Sequence, residues 1–288
     1  MTTETLFTHH RPLLFSIAYE MLGSVADTED VLQDSYIRWQ AVDLSTVKDS
    51  RAYLARIVTR QALNCLRSTA RRREEYVGPW LPEPLHTPSA GNQPAEHLLT
   101  GEAVTTAMLL VLESLTPTER AVFVLREVFD FSFTEIASAV DRTEAAARQI
   151  LHRARSHVHA RRPHEVADPL VAKRVAEEFL AAAATGDVHK LMDLLAPEVV
   201  SFSDGGGVIS AARHPVVGAE SVARFFAGLV RRAATMGEMD LQFGTYNSMP
   251  AVVVSFDGIT DMVTCFEITE QITAIYNVRN PDKLRHIH

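Results

Sequence analysis

The strongest constraint on the fold is a run of three capped helix starts between residues 116 and 143. Thr116-Pro-Thr-Glu119 and Ser132-Phe-Thr-Glu135 each place a hydroxyl before a helix and a glutamate three residues later, which is the pattern of a capping box. Thr143 caps a longer helix, and Asp141-Arg142 makes the turn before it. Because a short helix, a tight turn and a longer helix follow in this order, the segment predicts a helix-turn-helix.

The helix that Thr143 begins has two different faces. Its apolar positions recur at helical spacing, and the opposite side is basic and polar. The residues of that polar side are Arg148, Gln149, His152, Arg153 and Arg155. In a helix-turn-helix, the second helix lies in the major groove with its N-terminal residues near base edges. An ordinary helical hairpin is the alternative, but the basic outward face favours DNA binding.

A second basic element lies at residues 50–73, where Asp49-Ser50 supplies the cap of a long helix. Residues 51–73 contain seven Arg and no acidic residue, although the whole chain carries a net charge of −8. One face of this helix is formed by Arg56, Arg60, Asn64 and Arg67. Such a face can contact phosphates and base edges. The alternative is a solvated helix surface.

The bulk composition is that of a globular protein with two or three domains. The chain has 288 residues, of which 47% are hydrophobic and 22% charged. No apolar run reaches the roughly 18 residues of a membrane helix, and the first residues lack the pattern of a signal peptide. Cys65 and Cys265 are far apart and form no metal or disulfide motif. We therefore expect a cytoplasmic protein without a metal or cofactor.

Changes in composition divide the chain into four segments. Two helical blocks at 1–75 and 97–163 flank a proline-rich linker at 76–96. The last block, 168–288, begins with helices and ends with β-rich runs, which predicts an α+β domain. The linker contains Trp80 and Leu81 among its prolines. Because burying an indole is worth a few kcal/mol, we expect this segment to dock on a folded surface.

Long segments of the chain resemble the extracytoplasmic-function (ECF) sigma factors of bacteria. Their region 2 resembles DTEDVLQDSYIRW (27–39) and SRAYLARIVTRQALNCLRSTARRR (50–73). Their region 4 resembles LTPTERAVFVLREVFDFSFTEIASAVDRTEAAARQILHRARSHV (115–158). The C-terminal block resembles a SnoaL-like domain of the NTF2-like cone fold. The resemblance implies a multidomain fold, in which two all-α sigma domains (a region 2 helical bundle and a region 4 helix-turn-helix) precede an α+β cone.

The resemblance also implies partners and a division of labour. Such a chain binds core RNA polymerase, with its β and β′ subunits, and promoter DNA, and it leaves the chemistry to the polymerase. The polymerase-binding candidates are Asp30, Gln33, Asp34, Arg38 and Trp39. The candidates for reading the −10 element are Arg56, Arg60, Asn64 and Arg67. The candidates for the −35 element are Thr143, Arg148, Gln149, His152, Arg153 and Arg155.

One branch of this family carries three short signatures in its linker and extension. Here they read Trp80-Leu-Pro-Glu-Pro84, Asp204-Gly-Gly-Gly207 and Asn280-Pro-Asp-Lys-Leu284, and Val208 stands where the branch often has Lys. The resemblance implies that the extension regulates the sigma domains in cis. The interdomain candidates are Trp80, Leu81, Pro82, Asp204, Gly205, Gly206, Gly207, Asn280, Pro281, Asp282, Lys283 and Leu284. We expect Trp80 and Leu81 to dock near the other two signatures.

Other functions remain open for the C-terminal block. A SnoaL-like enzyme or a sensor of a small ligand, fused to a helix-turn-helix regulator, is the alternative. Its polar candidates are Asp204, His214, Tyr246, Asp257 and Asp261, and their spacing singles out no acid–base pair. A regulator independent of the polymerase needs only the helix-turn-helix, so the second basic face at 50–73 favours the sigma factor. Removal of 170–288 is expected to change transcription, with either sign.

Overall fold

The computed structural model describes residues 2–87, 104–160 and 167–287, without the side chains at 71, 72 and 169. The described residues form two compact units. One contains residues 2–74, 104 and 108–160, and the other contains residues 75–87, 105–107 and 167–287. The start of the linker therefore belongs to the same unit as the C-terminal block. The predicted boundaries at 96–97 and 163 lie outside the described residues.

The first part of the first unit is a bundle of three helices. They are α1 (Thr3–Leu22), α2 (Val25–Gln40) and α3 (Ser50–Glu74), and a short 3-10 turn (Leu44–Thr46) precedes α3. Ser24 caps α2 by accepting a hydrogen bond from the Asp27 amide, as predicted. The buried side chains between the helices include Leu14, Ile17, Met21, Leu32, Trp39, Leu54 and Val58. This packing leaves the polar faces of α2 and α3 for other contacts.

The second part of this unit contains four more helices. They are α4 (Thr106–Glu113), α5 (Pro117–Phe123), which continues as a π-helical turn (Val124–Val128), α6 (Phe133–Val140) and α7 (Glu144–His159). Both predicted capping boxes are formed, at Thr116 with Glu119 and at Ser132 with Glu135. Asp141 ends α6 with a φ of 55°, so an aspartate takes the left-handed position that glycine often fills. The predicted helix-turn-helix is confirmed as α6 and α7.

The C-terminal block is an α+β domain, which confirms the predicted fold class. Its elements in chain order are α8 (Pro169–Thr185), α9 (Val188–Leu194), β1 (Leu195–Asp204), β2 (Val216–Val217), α10 (Ala219–Ala233), β3 (Met239–Tyr246), β4 (Met249–Phe256), β5 (Ile259–Ile268), β6 (Ile272–Val278) and α11 (Pro281–Leu284). The strands form one sheet in the order β2-β1-β6-β5-β4-β3. Only β1 and β6 are parallel neighbours among these described strands.

Helices α8, α9 and α10 cover one face of this sheet. Phe179 of α8 lies edge-to-face against Phe226 of α10 and Phe266 of β5, with ring centroids 5.1 and 5.8 Å apart. The turns between strands use residues that tolerate a positive φ, such as Asp257 and Gly258. The sequence Asp257-Gly258 between two β-rich runs predicts a hairpin turn, and the structure confirms it. The apolar core on this face fixes the strands that carry the polar site described below.

The sequence-based prediction placed the β-rich runs at the end of this domain and did not locate β1. The strand buries polar side chains, namely Ser201, Ser203 and Asp204. The Nδ2 atom of Asn277 on the neighbouring strand donates to the Ser201 hydroxyl at 3.1 Å. Buried polar residues are unusual and need partners. Since Asn277 is 76 positions away from Ser201, a local pattern of hydrophobicity could not reveal the strand.

Candidate functional site

The exposed face of α7 carries the residues predicted to contact DNA. Thr143 caps the helix, so its hydroxyl oxygen already accepts a hydrogen bond from the Ala146 amide at 3.2 Å. Arg148 donates to the Glu144 carboxylate at 3.2 Å, and its guanidinium carbon lies 4.6 Å from the centre of the Phe133 ring. Gln149 and His152 are exposed. This end of the helix therefore presents a positioned arginine and two polar side chains.

The other two arginines of α7 have acidic partners within the same unit. Arg155 donates to Glu127 at 2.8 Å, and the Arg153 Nε lies 3.6 Å from a carboxylate oxygen of Glu119. Both guanidinium groups remain more than half exposed. Exposed ion pairs contribute little to stability. These arginines are thus available to phosphates, although each one must share its charge with a neighbouring carboxylate.

The face of α3 predicted to read the −10 element contacts α6. Arg60 donates to the backbone oxygen of Ser138 at 2.9 Å, and the Arg56 Nη1 lies 3.5 Å from the Ser138 hydroxyl. Asn64 and Arg67 are exposed and lie within hydrogen-bond distance of each other, at 3.4 Å. The first helix of the helix-turn-helix therefore contacts Arg56 and Arg60, although Arg60 remains exposed. The sequence predicted the face but could not show that another helix of the chain lies on it.

The polymerase-binding candidates on α2 separate into exposed and buried side chains. Asp30, Gln33, Asp34 and Arg38 are exposed. Trp39 is 0% exposed, and its Nε1–H donates to the backbone oxygen of Thr3 at 2.7 Å. The assignment of Trp39 to a partner surface is therefore corrected, because its indole packs the core of region 2. Ile37, which the sequence analysis did not single out, is 58% exposed beside the four polar residues.

The linker is held by a buried carboxylate of the C-terminal domain. Asp204, at the end of β1, is fully buried. Its Oδ1 accepts a hydrogen bond from the Tyr76 hydroxyl at 2.5 Å, and its Oδ2 accepts from the Leu81 amide at 2.9 Å. The Nζ of Lys283 donates to the same Oδ2 at 2.8 Å. We call Asp204, Asn280 and Lys283 the linker clamp.

Lys283 and Asn280 complete the linker clamp from α11 and its cap. The Lys283 ammonium also donates to the backbone oxygen of Leu81 and lies 4.0 Å from the centre of the Trp80 ring, which makes a cation–π contact. The Nδ2 of Asn280 donates to the Tyr76 hydroxyl at 2.8 Å. Burial, together with the hydrogen bond to Asp204, raises the pKa of Tyr76 well above its ordinary value. The phenol therefore remains a donor at any physiological pH.

Further along, the linker follows the turn between β3 and β4. The Leu85 amide donates to the Asn247 side-chain oxygen at 3.0 Å, and the Asn247 amide donates to the Leu85 backbone oxygen at 2.8 Å. His86 lies edge-to-face against Tyr246, with ring centroids 5.3 Å apart. Leu81 is fully buried, and Pro82 is buried beside it. The segment 76–87 is thus a docked peptide of the C-terminal domain.

The glycines after Asp204 allow close approach of the chain to the linker clamp. Gly206 has a φ of 63°, and a Cβ built on it would lie 2.4 Å from the Nδ2 of Asn280. A Cβ on Gly207 would lie 3.1 Å from Val77 of the linker. Val208 is 71% exposed. A Cβ on Gly205 would clash with the backbone oxygen of Ile209, so all three glycines are needed for space, whereas position 208 faces solvent.

The short helix α11 and its cap carry the third signature, Asn280-Pro-Asp-Lys-Leu284. Asn280 caps α11 by accepting from the Asp282 amide at 3.0 Å, while Pro281 is its first residue. Leu284 is buried, and Asp282 is exposed. Lys283 reaches Asp204 from this helix. All three signatures therefore meet at one place, and their regulatory role stays a prediction.

The five polar candidates of the enzyme alternative, all within the described residues, are not brought together. Asp204 belongs to the linker clamp, Tyr246 contacts His86, and Asp257 lies in a turn. His214 is exposed, and Asp261 pairs with Arg279 at 2.8 Å. This dispersal offers no acid–base pair at a shared position.

Among the described residues, no helix has the length and apolar character that crossing a membrane requires.

Comparison with known proteins gives consistent matches along the chain. The family model of Sigma-70 region 2 matches residues 6–72, and that of Sigma-70, region 4 matches residues 105–158. The chain is 35% identical over 282 residues to the ECF RNA polymerase sigma factor SigJ of Mycobacterium tuberculosis. This alignment covers 95% of this chain and 90% of the relative. It is 30% identical over 216 residues to the probable ECF sigma factor SigI of that organism, covering 74% of this chain and 72% of the relative. The crystal structure of SigJ superposes with a TM-score of 0.76 at 32% identity, covering 95% of each chain.

Proposed function

This chain belongs to the ECF RNA polymerase sigma factor family, and we propose that its C-terminal domain regulates the reading of the promoter in cis. As a sigma factor it directs promoter-specific initiation of transcription, and its sigma domains bind core RNA polymerase and promoter DNA. The chemistry of transcription belongs to the polymerase. We assign the chain three working surfaces, on α2, α3 and α7, and one controlling site, the linker clamp.

The α2 surface is proposed to bind the β′ subunit of the polymerase. Asp30, Gln33, Asp34 and Arg38 supply the polar contacts. Ile37 supplies an exposed apolar side chain among them, and interface cores favour an apolar centre with a polar rim. Trp39 lies on the buried side of α2 and stabilises this surface, because its indole fixes α2 against the start of α1. Region 4 is proposed to approach the β subunit as it reaches the −35 element.

The α3 surface is proposed to read the −10 element, and the α7 surface the −35 element. Asn64 and Arg67 are open to a DNA strand, whereas Arg56 and Arg60 contact Ser138 and its neighbour. Binding of the −10 strand requires these two arginines to exchange a protein partner for DNA. The described arrangement therefore corresponds to a closed state, in which the −10-reading helix α3 contacts the helix-turn-helix that reads the −35 element.

The linker clamp is proposed to favour this closed state. The segment 76–87 is part of the tether between α3 and α4, and docking removes it from the freely moving chain. An extended residue spans about 3.4 Å, so release of these residues adds roughly 40 Å to the reach of the tether. A longer tether lets region 4 leave the α3 face and find the −35 element while region 2 stays at the −10 element.

The observation that carries the proposed closed state is the engagement of Arg60 and Arg56 with α6, because it joins the two DNA-reading elements directly. The test is run-off transcription with core polymerase and the full chain on a promoter selected from a random library. We expect Arg60→Ala to reduce the promoter-specific transcript and the binding of single-stranded −10 oligonucleotide, because a base-reading donor is lost. Arg231→Ala, at an exposed site on α10, is the matched control. An unchanged transcript and unchanged oligonucleotide binding with Arg60→Ala contradict the −10 assignment.

A further inference from the structure

The C-terminal domain contains a cavity that the linker does not fill. It has a volume of about 110 Å³ and lies between α8, α10 and strands β3 to β5. Its walls are formed by carbon-rich side chains, among them Leu180, Phe226, Leu229, Val252, Val254 and Met262. Met239 and Leu241 line the mouth and are 42% and 37% exposed. The cavity is therefore apolar and reachable from solvent.

Three charged side chains line the cavity: Arg232 is exposed, and the other two, Asp261 and Arg279, neutralise each other at one side. The Arg279 Nη2 donates to Asp261 Oδ1 at 2.8 Å, and its Nε donates to Asp261 Oδ2 at 3.1 Å. Both side chains are largely shielded from solvent. Thr264 beside them is within hydrogen-bond distance of the Asn277 oxygen, at 2.9 Å. Because a bidentate pair satisfies both charges, this side of the cavity offers polar contact without a net charge.

The same arginine connects the cavity to the linker clamp. The Arg279 amide donates to the backbone oxygen of Asp204 at 2.7 Å, and its Nη1 donates to the backbone oxygen of Ser210 in the loop that follows the glycines. The next residue is Asn280, which holds the Tyr76 hydroxyl. A shift of Arg279 therefore moves the backbone of Asp204 and of Asn280, which both belong to the linker clamp.

We propose that the cavity binds a small, uncharged, largely apolar molecule and that its occupancy strengthens the docking of the linker. An apolar cavity of about 150 Å³ in a protein interior holds one benzene molecule. The slightly smaller cavity here therefore suits a ring or short branched chain, and the open mouth admits an apolar extension. A charged group is disfavoured inside the cavity, because Asp261 already neutralises Arg279, the carbon-rich walls cannot solvate a second charge, and the third charged lining residue, Arg232, is exposed to solvent.

The sign of the coupling follows from which state has the formed cavity. The cavity, the Arg279–Asp261 pair and the docked linker belong to one described conformation. A ligand that binds this conformation better than the one with a released linker shifts the population towards it. The inference rests on the proposed regulation in cis, and it names a chemical signal for that regulation.

The binding site is tested with 4-fluorotoluene as the probe and the full-length chain, by fluorine NMR titration. We expect a saturable shift that Ala184→Phe weakens at least about tenfold, because the larger side chain narrows the lined space. Ala181→Phe, exposed on the same helix but away from the cavity lining, is the matched control and leaves binding unchanged. Leu241→Glu is a second variant, which weakens binding by placing a carboxylate at the mouth.

The coupling is tested by hydrogen exchange of peptides that cover 76–87. We expect saturating 4-fluorotoluene to slow their exchange at least about threefold, since the docked state gains the binding free energy. In Arg279→Lys, probe binding persists but the exchange no longer responds, because a lysine cannot reach both Asp261 and Ser210.

Several outcomes overturn the inference. A linear, unsaturable probe signal, or binding that Ala184→Phe and Leu241→Glu leave unchanged, removes the site. Saturable binding without slower exchange removes the coupling. Self-association that rises with concentration and blocks the probe assigns the mouth to a second copy of the chain instead. None of these measurements contains polymerase or DNA, so failure of the ligand site is distinguishable from failure of regulation in transcription.

Discussion

Lys283 and Asp204 form a buried ion pair that the backbone of the linker completes. The ammonium nitrogen lies 2.8 Å from the Asp204 Oδ2, and the two side chains are 8% and 0% exposed. The Leu81 amide donates to the same carboxylate oxygen, and the Leu81 carbonyl accepts from the same ammonium group. Burying a charge pair is unfavourable unless further hydrogen bonds satisfy it. Docking of the linker and satisfaction of this pair are therefore one event.

Replacing Lys283 by Met tests this dependence. The variant leaves a buried carboxylate without its cation, so we expect the free energy of unfolding to fall by about 3–5 kcal/mol. Hydrogen exchange of residues 76–87 should accelerate more than that of the strands. Chemical denaturation and exchange measured by mass spectrometry check the two effects. Lys190→Met, at an exposed position in α9, is the control and should change neither. Unchanged protection of the linker in Lys283→Met contradicts the role of the ion pair.

Replacing Gly206 by Ala tests the close approach of the glycine loop. Its Cβ would lie 2.4 Å from the Asn280 amide, so Asn280 must move away from Tyr76. Gly186→Ala is a matched control, because Gly186 also has a positive φ of 71° but has open space around its Cβ position. Both variants should lose roughly 1 kcal/mol to backbone strain. Only Gly206→Ala should speed exchange at 76–87, and equal exchange in the two variants argues against the contact.

Replacing Arg148 by Ala tests the −35 reader. Phe133 and Glu144 hold the guanidinium in place on the exposed face of α7. If it makes a bidentate contact to guanine, its loss should cost about 1–3 kcal/mol and relax preference at one base pair. Binding to duplexes that vary each position of the element measures both quantities. Arg174→Ala on α8 should leave the preference intact. A uniform loss at all sequences reassigns Arg148 to phosphate contact.

Replacing Glu20 by Gln tests a buried carboxyl group in region 2. The Glu20 Oε2 is buried and has no hydrogen-bond partner among the described residues. Burial raises the pKa of Glu20 well above its ordinary value of 4.5, partly opposed by a hydrogen bond from the Val104 backbone. The folded state therefore favours the protonated acid. Its stabilising effect is complete below the unfolded pKa and is lost as pH rises through the folded pKa.

A glutamine at position 20 does not titrate. The difference in Tm, variant minus wild type, should therefore become more positive as the pH rises above 4.5, the ordinary pKa of a glutamate. Thermal unfolding of the full chain at several pH values measures this trend. Glu29→Gln, at an exposed residue of α2, is the control. A difference that stays constant with pH contradicts a protonated Glu20 in the folded protein.

Local chemistry made part of this structure predictable from the sequence. The hydroxyl and glutamate pairs at Thr116 and Ser132 act within one helical turn, so their capping boxes could be read directly. The helix-turn-helix and the turn at Asp257 follow from equally local preferences. Long-range partners were beyond such patterns. The contact of Arg60 with α6 joins residues 78 positions apart, and β1 is stabilised by side chains on a distant strand.

Trp39 shows the same limit at a single residue. The family resemblance implied a partner surface for this residue, but the indole turns inward to Thr3. Docking of the linker was easier to predict from the sequence, because an apolar aromatic residue in a proline-rich segment favours burial. The resemblance named Asp204 among the candidate contacts, but its hydrogen bonds to Tyr76 and Lys283 became evident only from the structure.

The measurement that tests the account most directly is run-off transcription by core polymerase with a variant whose linker is released. Tyr76→Phe combined with Trp80→Ala removes the hydroxyl and the indole that the linker clamp holds. Leu170→Ala, at an exposed site of α8, is the control. We predict that the double variant exchanges faster at 76–87 and yields at least about threefold more promoter-specific transcript than wild type. An equal or smaller transcript from a variant whose linker is demonstrably released contradicts the proposed restraint.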